Sequence, residues 1–178
     1  MMPPDQSATL RAIAERATRL VQPALLTAFR STMAVDFKVD RHDVVTRHDR
    51  ESEAAIRAFL LAEVPDSAVV GEEAGASGSG RVKWYVDPID GTANFARGLA
   101  FWCVSVGAVV DGEIVAGAIL GPVADTLFSA DTSGAWCNGA PMRSNAVPDE
   151  QHATLITGYP VARDFRLDGR EIALDRFA

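Results

Sequence analysis

The chain has 178 residues, 48% hydrophobic and 23% charged, enough apolar content for the core of one ordinary globular domain. Its formal net charge of -7 argues against nucleic-acid binding, which needs a basic footprint. No apolar run reaches membrane-spanning length, residues 1–6 lack the basic start and apolar core of a secretory leader, and two Cys without metal-ligand spacing point to a reducing cytoplasm.

Leu10, Ile13, Ala14, Ala17, Leu20, Val21, Ala24, Leu25 and Ala28 recur at helical spacing and predict an amphipathic helix over 7–30. Pro23 kinks that helix or marks a boundary in it. A second helix is predicted over 47–63, with Ile56, Phe59 and Leu60 inward and Pro65 beyond its end. Thr46-Arg47-His48-Asp49 at its start reads as a capping box. His42 and His48 read as solvated in a charged segment, and His152 has no assigned role.

Residues 67–70 form a short apolar run that ends at Gly71-Glu72-Glu73. Residues 74–80, rich in Gly and Ser, read as a mobile loop. Residues 82–86 read as a short buried strand that delivers Asp87 at its carboxyl end, where catalytic groups tend to lie. From Phe101 an antiparallel meander is predicted: 104–110 turns through Asp111-Gly112 into 114–120, and 126–130 turns through 131–134 into 135–137. Asn138-Gly139 marks a further tight turn. Cys103 falls in an apolar run and reads as a buried structural thiol. Two long helices packed on an antiparallel sheet give an α+β domain.

The chemistry concentrates at two strand ends. Asp87-Pro88-Ile89-Asp90-Gly91-Thr92 offers two carboxylates three residues apart, a rigid Pro, a Gly that permits close backbone approach, and a hydroxyl. Asp-Pro and Asp-Gly are common turn punctuation, and a Glu pair alone is usually solvated surface. Two strand ends that each deliver carboxylates favour a magnesium site, because magnesium takes oxygen ligands.

The segment 84–95, Trp-Tyr-Val-Asp-Pro-Ile-Asp-Gly-Thr-Ala-Asn-Phe, closely resembles the signature of the inositol monophosphatase family. Gly71-Glu72-Glu73 matches its Gly-Glu-Glu element, and Asp43-Val44-Val45-Thr46 with Asp49 is similar to its Asp-x-Val-Thr-x-x-Asp stretch. Gly134-Ala135-Trp136-Cys137-Asn138-Gly139 is similar to its later hairpin, and Lys38 resembles a family lysine near the metal. The resemblance implies the first half of an αβαβα layered sugar-phosphatase fold. It implies Mg2+ ligands in Glu72, Asp87, the Ile89 carbonyl and Asp90. It also implies catalytic roles for Glu72, Thr92 and Asp49, which would position and deprotonate the attacking water. Glu72, Ile89, Asp90, Gly91 and Thr92 would face the substrate, with a helix starting just after Gly91 whose N-terminus favours an anion.

The activity implied by the resemblance is that of a magnesium-dependent phosphomonoesterase acting on inositol monophosphate or a similar small polyol phosphate through metal-activated water. The same chemistry on histidinol phosphate, fructose 1,6-bisphosphate or a phosphorylated nucleotide stays open, because the motifs read only the phosphate. The resemblance further implies that residues 1–155 form the metal- and phosphate-binding domain and that 156–178 begin a second α/β domain. On that expectation the chain is about two-thirds of a typical member and lacks a later metal-binding Asp, so a catalytically silent metal-binding fragment is the other reading. A homodimer is implied for the full-length form.

Overall fold

The computed structural model describes residues 3–32, 34–37, 44–143, 166–167 and 170–171. Two compact units are formed, Met1–Arg143 and Ser144–Ala178. In the second, the described residues make one short hairpin, β11 (Arg166–Leu167) against β12 (Arg170–Glu171). The boundary expected at 155/156 and the strand expected over 155–160 lie outside the described residues. So do His42, Asp43, Lys38 and His152.

The first unit opens with α1 (Pro4–Ala28), which begins on a proline at N1, where a missing N–H costs no helical bond. Pro23 sits inside the helix, which continues for a further turn past it. Leu10, Ile13, Ala14, Ala17, Val21 and Leu25 form its buried stripe, as their spacing predicts. A two-residue ladder, β1 (Asp36–Phe37) with β2 (Val44–Val45), leads into α2 (Arg47–Glu63). Thr46 caps α2: the His48 amide donates to Thr46 Oγ1 at 3.1 Å, and the Thr46 amide donates to Asp49 Oδ2 at 2.8 Å.

Eight strands follow in the order β10-β9-β8-β7-β6-β5-β3-β4. They are β3 (Ser67–Gly71), β4 (Gly75–Gly78), β5 (Val82–Asp90), β6 (Cys103–Val110), β7 (Glu113–Gly121), β8 (Thr126–Asp131), β9 (Gly134–Cys137) and β10 (Ala140–Met142). A short helix, α3 (Thr92–Ala96), interrupts the run after β5. The α+β expectation is met, with one correction: the sheet is mixed, because β3 and β5 run parallel. The chain reverses after β3 to form β4 on its outer side, then returns to β3's inner side in the original direction. A second correction concerns residues 74–80. Rather than a mobile loop, they contain β4, whose backbone groups pair with β3 in register Ala68↔Gly78 to Gly71↔Gly75. Gly and Ser content signals freedom in an isolated chain, but a neighbouring strand edge supplies partners that outweigh it.

Trp84, Val86, Val104, Val106, Ala108, Ala118 and Leu120 point from one face of the sheet and pack against α1 and α2. The other face carries Tyr85, Ile119 and Phe128 as exposed apolar side chains and a shallow groove of about 570 Å³. Strand alternation therefore decides which groups of β5 meet the core and which meet the opposite side. Among the described residues, no helix is long and apolar enough to cross a membrane.

Candidate active site

The ends of β3 and β5 lie side by side because the two strands are parallel neighbours, with Gly71 opposite Val86. Glu72 follows directly, its amide donating to the Val86 carbonyl at 3.2 Å. Asp87 is the next residue on β5. Its carboxyl is pushed up to about 7, first by burial, then by the charges of Glu72 and Asp90 and a hydrogen bond with Glu72. Parallel pairing thus brings together the two carboxylate segments that sequence treats as separate strand ends. A pocket of about 300 Å³ lies over them, lined by Val70, Gly71, Glu72, Tyr85, Val86, Asp87 and Ser105.

The Asp-Pro-Ile-Asp segment is a bulge. Asp87 pairs with Ser105 and Asp90 with Cys103, so the β5 side of the ladder holds one more residue than the β6 side. Pro88 is tolerated there because a bulge relieves it of donating to the ladder. The bulge also breaks the two-residue alternation, so Pro88 and Ile89 are both buried while Asp87 and Asp90 stay accessible. Asp87 Oδ1 accepts from the Ile89 amide at 3.1 Å, which turns the carboxylate back over the bulge.

Gly91 then adopts φ 95°, and a side chain there would meet the Phe101 carbonyl and Trp102. Only glycine combines that backbone angle with that approach. Thr92 starts α3 and donates from Oγ1 to Asp49 Oδ1 at 2.8 Å and to the Ile89 carbonyl at 2.9 Å. The expected helix after Gly91 is present, although it is only five residues long.

Asp49 is 1% exposed and accepts from three donors, the third being Thr46 Oγ1 at 2.7 Å. It therefore serves both as the partner of the α2 cap and as the acceptor for Thr92. The two uses are compatible in the sequence. They coincide because one carboxylate oxygen faces Thr46 and the other faces Thr92.

Two readings are corrected. His48 is not a solvated side chain: its ring lies edge-on to Phe95 with centroids 6.1 Å apart, and its Nδ1 is 3.7 Å from Glu51. Cys103 is half-buried rather than core, on the face opposite Val104, with Sγ 3.7 Å from Asp90 Oδ2. Burial, Asp90 and Asp87 push that thiol up to about 12, so it stays protonated and cannot act as a thiolate nucleophile at neutral pH.

Sequence reasoning missed Glu53 and Arg57. Glu53 is 1% exposed, and its carboxylate accepts from the Glu73 amide at 2.6 Å, the Ala74 amide at 3.0 Å and Arg57 Nη2 at 2.7 Å. The available signal was their i,i+4 spacing on α2, which ordinarily marks a solvated helix face. Gly71 makes room for this contact, since a Cβ there would stand 2.2 Å from the Glu53 carboxyl. Gly71→Ala is expected to cost about 1–3 kcal/mol by overpacking, read from the urea midpoint. An unchanged midpoint would show that Glu53 is not held in place.

The donor set fits a hard divalent cation. Glu72, Asp87 and Asp90 present only oxygen, and the burial and the repulsion that together raise Asp87 both penalise a charge that a cation would offset. Among the described residues, however, no three His, Cys, Asp or Glu side chains already form a ready-made metal centre. The Asp87 shift also sets a stability trend in chelator. An unfolded Asp loses its proton near pH ~4, whereas the folded carboxyl keeps it to about 7, so the folded state binds more protons across that window. Stability from this group is present at low pH and is lost as pH rises from ~4 through about 7. In EDTA, Asp87→Asn is expected to flatten the fall in Tm between pH 5 and 8. An equally steep fall in the variant would refute the shift.

A model of the inositol monophosphatase family matches residues 6–172. The chain is 39% identical over 120 residues to a fructose-1,6-bisphosphatase/inositol-1-monophosphatase of Aquifex aeolicus, covering 66% of this chain and 46% of the relative. It is 36% identical to a histidinol-phosphatase of Chlorobaculum parvum over 63% of this chain and 44% of the relative. Among solved structures, a Thermotoga maritima IMPase superposes with TM-score 0.69 at 31% identity, over 74% of this chain and 52% of that one. The matched part of the chain thus spans about half the length of these relatives.

Proposed function

Since this chain belongs to the inositol monophosphatase family, we propose that it carries the metal- and phosphate-binding machinery of a magnesium-dependent phosphomonoesterase. Its substrate class is inositol monophosphate or another small polyol phosphate. The observation that carries this reading is the Thr92–Asp49 hydrogen bond, formed across 43 residues of sequence, with Thr92 also bonded to Ile89, whose amide donates to Asp87.

Magnesium held by Glu72, Asp87, Asp90 and the Ile89 carbonyl would supply positive charge against the phosphate and lower the pKa of a nearby water. The chain's own groups do the rest. The Thr92 hydroxyl proton is engaged by Asp49 and the Ile89 carbonyl, which leaves a Thr92 lone pair to accept a hydrogen bond from water. Donating to Asp49 makes that oxygen a better acceptor in turn. Glu72 offers a second acceptor for the other water proton and so fixes the direction of attack. The Gly91 and Thr92 amides border the same turn and are the donors proposed for the phosphate oxygens.

A second reading is metal binding without turnover. One experiment separates the two. Phosphate release is measured with millimolar magnesium, or with EDTA, from inositol monophosphate, histidinol phosphate, fructose 1,6-bisphosphate and a phosphorylated nucleotide. Magnesium binding is measured alongside by calorimetry. Metal-dependent release is the expected result, strongest for the polyol phosphate. Binding without release from any ester supports the second reading, and no magnesium binding at all overturns both.

A further inference from the structure

A buried charge is costly to fold around, and Glu53 is a carboxylate sealed between α2 and the turn after β3. Where its hydrogen bonds go is the informative fact. Two of its three donors are the successive amides of Glu73 and Ala74, the residues that immediately follow Glu72. The third is Arg57, whose guanidinium also donates to the Val69 carbonyl at 3.1 Å, the Gly75 carbonyl at 2.8 Å and the Ser77 hydroxyl. The pair therefore grips β3, the turn and β4 at once. On its other side Glu72 is tied through its own amide to Val86, the residue before Asp87. The backbone of Glu72 is clamped from both directions, and Gly71 lacks the side chain that would push the clamp away.

We propose that Glu53, braced by Arg57, is a positioning residue that fixes the turn carrying Glu72 and thereby sets the Glu72 carboxylate against Asp87. This rests on the reading of Glu72 as a magnesium ligand. Glu53 touches neither substrate nor metal in this scheme. It acts through the two amides, as groups behind a metal ligand commonly do at a cost of about 10- to 100-fold in affinity when removed.

The test is a magnesium titration of the full chain by calorimetry, at a temperature where circular dichroism shows each variant folded. Glu53→Gln keeps the shape but not the charge. Val110→Ala truncates a buried residue at the far end of the β5–β6 ladder, opposite Val82, and controls for lost stability alone. Glu72→Gln tests the underlying assignment. Expected are a weakening of about 10-fold or more in Glu53→Gln and Glu72→Gln, and wild-type affinity in Val110→Ala. Wild-type affinity in Glu53→Gln with weakening in Glu72→Gln overturns the positioning role and leaves the ligand assignment standing. Unchanged affinity in Glu72→Gln overturns that assignment and the inference with it. An equal loss in Val110→Ala shows a general effect of stability and also overturns the inference. Should Glu53→Gln fail to fold, Arg57→Lys, which removes the guanidinium fork from the other side, is read by the same outcomes.

Discussion

Thr92→Val is expected to lower phosphate-ester turnover by about 100- to 10,000-fold, the range lost when a positioned proton-transfer group is removed. Valine matches threonine in shape, so the change removes the hydroxyl and little else. Two contacts disappear, to Asp49 Oδ1 and to the Ile89 carbonyl. Asp49 keeps two donors from Thr46, so the fold survives with a loss of about 1–3 kcal/mol for a carboxylate short of one partner. Activity and stability should therefore separate. Thr92→Ser restores the hydroxyl and should recover most of the rate. The measurement is kcat/KM with magnesium beside a urea melt, and wild-type turnover in Thr92→Val would remove the hydroxyl from the mechanism.

Glu53→Ala is expected to lower stability by about 3–5 kcal/mol, the cost of breaking a buried ion pair from one side. Three donors lose their acceptor in one step: Arg57 and the amides of Glu73 and Ala74. Arg57 still reaches Val69, Gly75 and Ser77, which keeps the loss below that of a fully orphaned cation. Glu53→Gln retains an acceptor and should cost less, about 1–3 kcal/mol. Urea unfolding measures both. A loss below ~1 kcal/mol in Glu53→Ala would mean that water replaces the carboxylate and that the pair behaves as a surface pair does.

The two long helices were legible because each has an apolar stripe at helical spacing, and α2 also has local boundary signals. For α2, the capping pair Thr46 and Asp49 and the downstream Pro65 locate both ends from neighbours in sequence. The hairpins β6–β7 and β8–β9 were legible for the same reason, since Asp111-Gly112 and residues 131–134 announce their own turns. β4 was not. Its Gly-Ser composition carries no strand preference, and the unpaired edge of β3 decides its conformation. Nor was the parallel pairing of β3 with β5, which no local signal encodes.

The residues of the proposed site were all visible as types: Glu72, Asp87, Asp90, Thr92 and Asp49 stand in motifs a few residues long, where acid, hydroxyl and glycine chemistry can be read without coordinates. Their association could not be read that way. Asp49 reaches Thr92 across 43 residues, and Glu72 meets Asp87 only because their strands run side by side in the same direction. The burial of Glu53 was hidden more completely, because a Glu four residues before an Arg looks like solvated helix surface. Amino-acid order determined the local conformations and the functional groups on offer, through steric and hydrogen-bonding preferences that act within a turn or two. Tertiary packing alone decided which groups lose water and whose charge each one feels, since both depend on neighbours brought in from elsewhere in the chain.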